Sequence, residues 1–285
     1  MWDNIRVLRG AHRPTIMEPI LLSPVAAALF GGLFGAMIGS FFNVVIYRMP
    51  RGESVVWPPS RCTRCGYRIR PFENIPVLSW VLLRGKCKSC GIGISAEYPL
   101  VEAATAAVAA VAAWFFFSAG AGYPLDFKIA LTFLAMASIP IFVIDFRHFL
   151  IPDLITFPGI ALGLGLSFIP DGLTPQQSLM GGAGSALFLW SIGFVATLAL
   201  KKDAMGLGDV KLVAMAGALF GLQTALFGLI FASVLGCIVG VPMLLLRKLN
   251  EHRHIPFGPY ICAGTLIAAF YGERVMDWYM SLLGL

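Results

Sequence analysis

Two aspartates stand at the edges of long apolar segments, where a charged side chain is costly and needs an explanation. Asp145 closes the run Ile141-Phe-Val-Ile-Asp145, and Asp209 opens another apolar segment within Gly206-Leu-Gly-Asp209-Val-Lys211. Two carboxylates in contact cannot both ionise easily, so one holds a proton while the other takes one from water. Such a pair can hydrolyse a peptide bond by acid–base catalysis. Gly206 and Gly208 would let the backbone turn sharply or approach an extended substrate closely.

Other interpretations of these aspartates remain open from the residues alone. An Asp at a helix start is often an N-cap or a partner of the helix dipole, and an Asp at a membrane boundary can simply be solvated. Asp153, in Leu150-Ile-Pro-Asp153, is a rival for the role of Asp145. Because Asp153 directly precedes the next apolar segment, it looks more like a helix N-cap.

Four cysteines form two pairs with the spacing of metal-binding knuckles. The pairs are Cys62-Thr-Arg-Cys65 and Cys87-Lys-Ser-Cys90, with 21 residues between them. Two such knuckles place four thiolates around one tetrahedral Zn²⁺, and Gly66 and Gly91 allow tight turns under the metal. Four thiolates leave no open position, so we expect a structural zinc. The alternatives are two disulfides or reduced cysteines without metal, and a cytoplasmic location argues against disulfides.

The elements that carry these residues are predicted to be membrane helices. Apolar residues make up 58% of the 285 residues and charged residues 13%, which excludes an ordinary soluble protein. Only helices satisfy the backbone in apolar runs of this length. The runs are Leu21–Tyr47, Leu100–Ser118, Phe127–Asp145, Ile155–Phe168, Ser178–Leu200, Val210–Leu246 and Tyr260–Tyr271. The sixth run is too long for one span and is interrupted near Gly221, so the prediction is an all-α polytopic membrane protein with about eight transmembrane helices.

The basic residues predict the orientation in the membrane. Loops that follow odd-numbered spans carry most of the Lys and Arg, which places those loops in the cytoplasm and both termini outside. The net charge of +6 is therefore not a sign of nucleic-acid binding. The first loop alone holds nine cations: Arg48, Arg51, Arg61, Arg64, Arg68, Arg70, Arg84, Lys86 and Lys88.

This pattern divides the chain into four predicted parts. Residues 1–20 form an N-terminal extension without an assigned role, and residues 21–47 form the first transmembrane helix. Residues 48–97 form a cytoplasmic zinc-binding domain, and residues 98–285 form a transmembrane domain that carries both aspartates. A segment as small as 48–97 rarely builds a sufficient apolar core, so we expect metal binding to stabilise it.

Several further segments occur in a specific order. They are Gly39-Ser-Phe-Phe-Asn43-Val-Val-Ile-Tyr-Arg48, the two cysteine pairs, Asn74-Ile-Pro-Val-Leu-Ser-Trp80, Ile94-Ser-Ala-Glu-Tyr98-Pro-Leu-Val-Glu102, Ile144-Asp145, Ile151-Pro-Asp153, Gly206-Leu-Gly-Asp209-Val-Lys211 and Ile255-Pro-Phe-Gly-Pro259. With these segments the chain resembles the type IV prepilin peptidases from about Gly35 to Gly264. A departure lies at Ala96 or Glu97, one of which corresponds to a position where many members have a basic residue.

The resemblance implies an activity and a location. Such enzymes cleave the basic leader of a prepilin or pseudopilin on the cytoplasmic side of the bacterial inner membrane. They then methylate the new α-amino group with S-adenosylmethionine. The resemblance also implies that Asp145 and Asp209 are catalytic and that zinc sits in the cytoplasmic domain. The expected partners are the prepilin or pseudopilin and the lipid bilayer.

The methyl-donor site is less defined by the sequence. Asn43, Arg48 and Glu102 are polar residues that border the membrane, and they suggest a donor site between the zinc domain and the first span. A peptidase without methylation is the milder alternative. A transporter with a zinc-stabilised loop would place charges deep inside its spans, and a scaffold subunit gives no reason for two aspartates flanked by glycines.

Overall fold

The computed structural model describes residues 23–118, 122–202, 205–245 and 256–282 of the chain. The predicted N-terminal extension lies outside these residues. Within them, eight helices have 14 or more residues, and we label them α1 to α8 in chain order. They are Pro24–Arg48, Glu97–Phe117, Leu125–His148, Asp153–Leu166, Pro175–Leu200, Leu207–Phe220, Leu222–Leu245 and Gly258–Leu282.

Among the described residues, each predicted apolar run lies within one of these helices, or within two for the sixth run, except for at most two residues at its ends. The predicted interruption of the sixth run is confirmed, since α6 ends at Phe220, Gly221 has a φ of 85° and α7 begins at Leu222. The prediction for the last run was too short, because α8 continues eleven residues beyond Tyr271 to Leu282. Glu273, Arg274 and Asp277 end the apolar pattern there but do not end the helix.

Five helices are long and apolar enough to cross a membrane, judged by length and composition: α1, α2, α3, α5 and α7. The chain is therefore a multi-pass membrane protein. Large apolar side chains cover the outer faces of these helices, as Phe30, Leu33 and Phe34 do on α1. Crossings by α4, α6 and α8 stay a prediction.

Helices α1 and α2 pack together through small residues. A Cβ added to Gly35 would lie 2.4 Å from the Cβ of Ala109, and one added to Gly39 would lie 2.7 Å from the Cα of Glu102. The two backbones approach this closely because neither glycine has a side chain.

The other helices surround an apolar core with few polar groups. Ile141 of α3, Leu212 of α6 and Ile261 of α8 are almost fully buried within it. Two buried serines of α5 donate hydrogen bonds to the α6 backbone: Ser178 to the Ala218 carbonyl at 2.7 Å, and Ser185 to the Val213 carbonyl at 3.1 Å. These bonds satisfy polar groups that apolar surroundings would otherwise leave unpaired.

The segment between α1 and α2 contains both cysteine pairs. Its regular structure among the described residues is limited to two 3₁₀ turns, the five-residue helix Leu78–Leu82 and two isolated β-bridges. We call this segment the insertion, and the end of the helix bundle where it lies the cysteine end. The C-termini of α1 and α3 and the N-termini of α2, α6 and α8 meet at that end.

Candidate active site and metal centre

Asp145 and Asp209 line one cavity at the cysteine end. This cavity, the aspartate cavity, has a volume of about 410 Å³. Asp145 lies in the last turn of α3, which Phe149 closes in a left-handed conformation, and Asp209 lies in the first turn of α6. The structure thus brings together two acids that are 64 positions apart in the sequence.

The first residue of α8 contacts the carboxylate of Asp145. The backbone N–H of Gly258 donates a hydrogen bond of 2.9 Å to Asp145 Oδ2. A side chain is not accommodated there, because a Cβ on Gly258 would also lie 2.9 Å from Oδ2. A role for Gly258 could not be inferred from the sequence, although Pro259 is a residue type that often marks a helix start.

Asp153 also lines the aspartate cavity, but it does not have the cap geometry expected from the sequence. Pro152 is the residue before α4, and no side-chain cap bond is formed there. The Asp153 carboxylate instead accepts a hydrogen bond from the Lys211 ammonium, and both residues are solvent-accessible. The N-cap prediction was wrong, since a cation two residues beyond Asp209 satisfies this carboxylate.

Gly208 is needed where α6 begins. A Cβ added at this position would lie 3.1 Å from the Cβ of Ile151, in the segment between α3 and α4. The close approach expected for Gly208 is therefore made to Ile151 of the same protein. This contact brings the start of α6, with Asp209, toward Asp145.

The four cysteines of the insertion form a compact cluster. Their Sγ atoms all lie within 4.8 Å of one another, and Cys62 Sγ is 3.9 Å from Cys90 Sγ. A tetrahedral Zn²⁺ with Zn–S bonds of about 2.3 Å requires sulfurs about 3.8 Å apart. A disulfide requires about 2.05 Å, so the two-disulfide alternative does not fit. The arrangement can hold one metal ion through Cys62, Cys65, Cys87 and Cys90.

The two halves of the cluster repeat the same local structure. The N–H of Cys62 donates to the Tyr67 carbonyl at 2.9 Å, and that of Cys87 donates to the Ile92 carbonyl at 2.8 Å. The glycine after each pair has positive φ, 71° at Gly66 and 70° at Gly91, as the tight turns require. Backbone N–H groups of Cys65 and Arg64 lower the pKa of the Cys62 thiol to about 6, which favours the metal-binding thiolate.

The two remaining cysteines lie in helices, away from this cluster. Cys262 is buried in the apolar core. Cys237 is exposed on the surface of α7.

A second cavity lies between the insertion and helices α1 and α2. This insertion cavity has a volume of about 520 Å³, within the range of sites for small organic ligands. Asn43, Arg48 and Glu102, the three residues suggested from sequence, all line it, and all are buried. Trp80 and Tyr98 add aromatic surface to the same cavity.

The three buried polar residues also form hydrogen bonds beside the cavity, where Asn43 joins α1 to α2 and Arg48 and Glu102 bind the insertion. Asn43 Nδ2 donates to the Tyr98 carbonyl at 3.0 Å, and Arg48 Nη1 donates to the Ser54 carbonyl at 3.0 Å. Glu102 Oε2 accepts the N–H of Val77 at 2.7 Å. Val77 has a φ of 61°, which is unusual for a β-branched residue, and a bond from Leu78 N–H to the Pro76 carbonyl closes this turn. Glu102 therefore stabilises a strained turn beside the cavity.

Glu97, in the segment where the sequence departs from the family pattern, has a charged partner in the structure. Glu97, the first residue of α2, forms an ion pair with Arg147 near the end of α3. Arg147 is two residues beyond Asp145. The pair joins the end of the insertion to the helix that carries the first aspartate.

The structure combines a multi-pass helix bundle, two aspartates that line one cavity, a four-cysteine insertion and a second polar cavity. This combination indicates a membrane-embedded enzyme, and comparison with protein families supports that conclusion. The Bacterial Peptidase A24 N-terminal domain matches residues 33–116, and the Type IV leader peptidase family matches residues 129–241. The chain belongs to the type IV leader peptidase family.

Several curated relatives share the name prepilin leader peptidase/N-methyltransferase. The relative from Pseudomonas aeruginosa is 34% identical over 293 residues, covering 94% of this chain and 99% of its own. The Pseudomonas putida relative is 35% identical and covers 94% of this chain and 97% of its own. The Myxococcus xanthus relative is 39% identical over 219 residues, covering 76% of this chain and 63% of its own. No solved structure matches the chain.

Proposed function

We propose that this protein cleaves the leader of a prepilin or pseudopilin with Asp145 and Asp209 and then methylates the new N-terminus. The observation that carries the proposal is that both carboxylates line the aspartate cavity. Family membership and the names of the relatives support both reactions. We also propose that the leader of the substrate is basic and that it is cleaved on the cytoplasmic side of the membrane.

The surroundings of the two aspartates support different roles for them. The Gly258 N–H donates a hydrogen bond to the Asp145 carboxylate, and a bond of this kind favours the ionised form. Asp145 is therefore the ionised base that takes a proton from the attacking water. Asp209 holds the shared proton and donates it to the carbonyl oxygen of the scissile bond. Collapse of the tetrahedral intermediate then releases the new amine.

The insertion cavity is the site we assign to S-adenosylmethionine. When bound, this molecule would supply an electrophilic methyl group on a positively charged sulfur, which would leave as a neutral thioether. The buried carboxylate of Glu102 and the Asn43 amide provide polar contacts, and Trp80 provides an aromatic surface. These groups fit a ligand with a cationic centre and a purine.

The metal and the orientation complete the proposal. Zn²⁺ is the ion that four thiolates in tetrahedral arrangement favour, and its role is to stabilise the insertion. The positive-inside rule places the insertion and both cavities in the cytoplasm, at the inner membrane of a bacterium. Residues 48–97 then form a zinc-binding domain, and residues 98–285 form the transmembrane part that carries both aspartates.

The test uses the purified protein in lipid bilayers with a peptide that carries a basic leader followed by an apolar helix. Mass spectrometry of the peptide should show leader loss without S-adenosylmethionine, and leader loss plus one methyl group with it. Cleavage without methylation under both conditions would support the peptidase-only alternative. An intact peptide under both conditions would contradict the proposal.

A further inference from the structure

The aspartate cavity and the insertion cavity are neighbours that share one wall. Arg48 lines the insertion cavity, and the next residue, Met49, lines the aspartate cavity. Consecutive Cα atoms are about 3.8 Å apart, so only the width of one residue separates the two linings here. The separation is small compared with the length of an extended peptide.

An apolar cluster forms the body of this wall. Its buried members are Val45 and Ile46 of α1, Val101 of α2 and Ile144 of α3. Two of them directly precede a polar residue of a cavity: Val101 precedes Glu102, and Ile144 precedes Asp145. Moving a polar group through an apolar cluster is unfavourable, so we expect passage between the cavities to follow the edge of the wall.

Met49 stands at that edge. It follows the last residue of α1, packs against the apolar cluster and remains partly exposed. Its side chain is unbranched and flexible, so it can yield to a passing peptide. The Glu97–Arg147 ion pair links α2 to α3 close to Val101 and Ile144 of this cluster in the chain.

On this basis, and resting on the two reactions proposed above, we propose that the new N-terminus passes directly from Asp145 and Asp209 around Met49 into the insertion cavity. The product does not leave the enzyme between cleavage and methylation. Its apolar helix stays docked while only the terminal residues shift. Tethering of this kind keeps the amine at an effective concentration on the order of millimolar near the second cavity.

Direct passage also suits the chemistry of the amine. Peptide hydrolysis produces the amine in its neutral form, once the leaving nitrogen has received a proton. Methyl transfer needs that neutral form, because the nitrogen lone pair forms the new N–C bond while the S–C bond breaks. An α-amino group in water has a pKa of about 7.7–8.0 and is mostly protonated at neutral pH. A short path inside the protein limits exposure of the amine to water.

A competition experiment tests the passage. The full-length protein in bilayers receives an isotopically labelled leader-bearing peptide, S-adenosylmethionine and an excess of unlabelled peptide that is already cleaved but unmethylated. Direct passage predicts that the methylated fraction of labelled product is the same with and without this competitor. A methylated fraction that falls in proportion to the competitor would overturn the inference. Absence of either reaction without competitor would count against the proposed function, and this inference would fall with it.

Variants at Met49 test the route. Met49→Trp places a bulky, stiffer side chain at the edge, and Met49→Leu is the matched control of similar volume. With competitor present, Met49→Trp should lower the methylated fraction of labelled product several-fold, whereas Met49→Leu should keep it. The quantity is a ratio between two products, so it is independent of any change in the cleavage rate. An unchanged ratio in Met49→Trp would contradict the route around Met49.

Discussion

The backbone N–H of Gly258 donates a hydrogen bond of 2.9 Å to the carboxylate of Asp145, across 113 positions of sequence. This bond connects the start of the last described helix with the end of α3. The bond distinguishes Asp145 from Asp209, because it gives the two carboxylates different surroundings and supports different catalytic roles for them.

We expect Gly258→Ala to impair cleavage strongly. The added Cβ would lie 2.9 Å from Asp145 Oδ2 and 3.2 Å from Ile151 Cδ1, so the carboxylate must move. Displacing a catalytic group by about 1 Å typically costs on the order of a hundredfold in rate. Gly272→Ala on the same helix is the control, because its nearest contact would be 3.8 Å. Equal cleavage rates in the two variants would contradict the positioning role of Gly258.

We expect Cys62→Ser and Cys87→Ser to lose bound metal and to lower the melting temperature. Structural zinc contributes about 10 kcal/mol or more to the folding of small zinc peptides, so one missing ligand should disorder much of the insertion. Methylation should fall more than cleavage, since Cys62 and Cys87 line the insertion cavity. Metal analysis of the purified protein provides the measurement, with Cys237→Ser on the surface of α7 as control. Normal metal content in either insertion variant would rule out the four-ligand site.

Asp153→Asn should leave cleavage within a few-fold of the unmodified protein. The Asp153 side chain is 54% exposed and its partner Lys211 is 31% exposed. Ion pairs this accessible are worth about 0–1 kcal/mol. The value of kcat/KM for leader removal is the measurement. A loss as large as that of Asp145→Asn would return Asp153 to the catalytic role that the sequence left open.

Asn43→Ala should lose methylation before it loses cleavage. The variant removes a buried amide from the insertion cavity and breaks the bond to the Tyr98 carbonyl, while the aspartate cavity keeps all its residues. Thr105→Val is a suitable control, because Thr105 is buried in α2 and bonds only within its helix, to Val101. Equal losses of both activities in Asn43→Ala would reject the assignment of the methyl-donor site to this cavity.

Features with a local cause could be predicted from the sequence. The cysteine spacing determines the shape of the knuckles, and the glycine after each pair satisfies a positive φ. Gly221 breaks the long apolar run because the chain changes direction there. In each case the residue and its structural consequence lie within a few positions of each other.

Features that depend on contacts between distant helices could not be predicted in the same way. The bond from Gly258 to Asp145 requires knowing that α8 begins beside the end of α3. Asp153 looked like a helix cap because its partner, Lys211, lies on another helix. Glu102 was expected to contact a ligand, whereas its carboxylate also holds the strained turn at Val77 in a separate segment. The length of α8 was missed because its last part is helical without being apolar.

The catalytic role of Asp145 and Asp209 is tested most directly by measuring leader removal by purified Asp145→Asn and Asp209→Asn. Mass spectrometry of the peptide N-terminus detects the cleavage. Asp171→Asn is the control, since Asp171 lies in the connection between α4 and α5 and lines neither cavity. Replacing either aspartate with Asn keeps the size of the side chain but removes a carboxylate that exchanges the catalytic proton. We expect no cleaved peptide from either Asp145→Asn or Asp209→Asn, and normal cleavage by Asp171→Asn. Normal cleavage by either Asp145→Asn or Asp209→Asn would contradict this catalytic role.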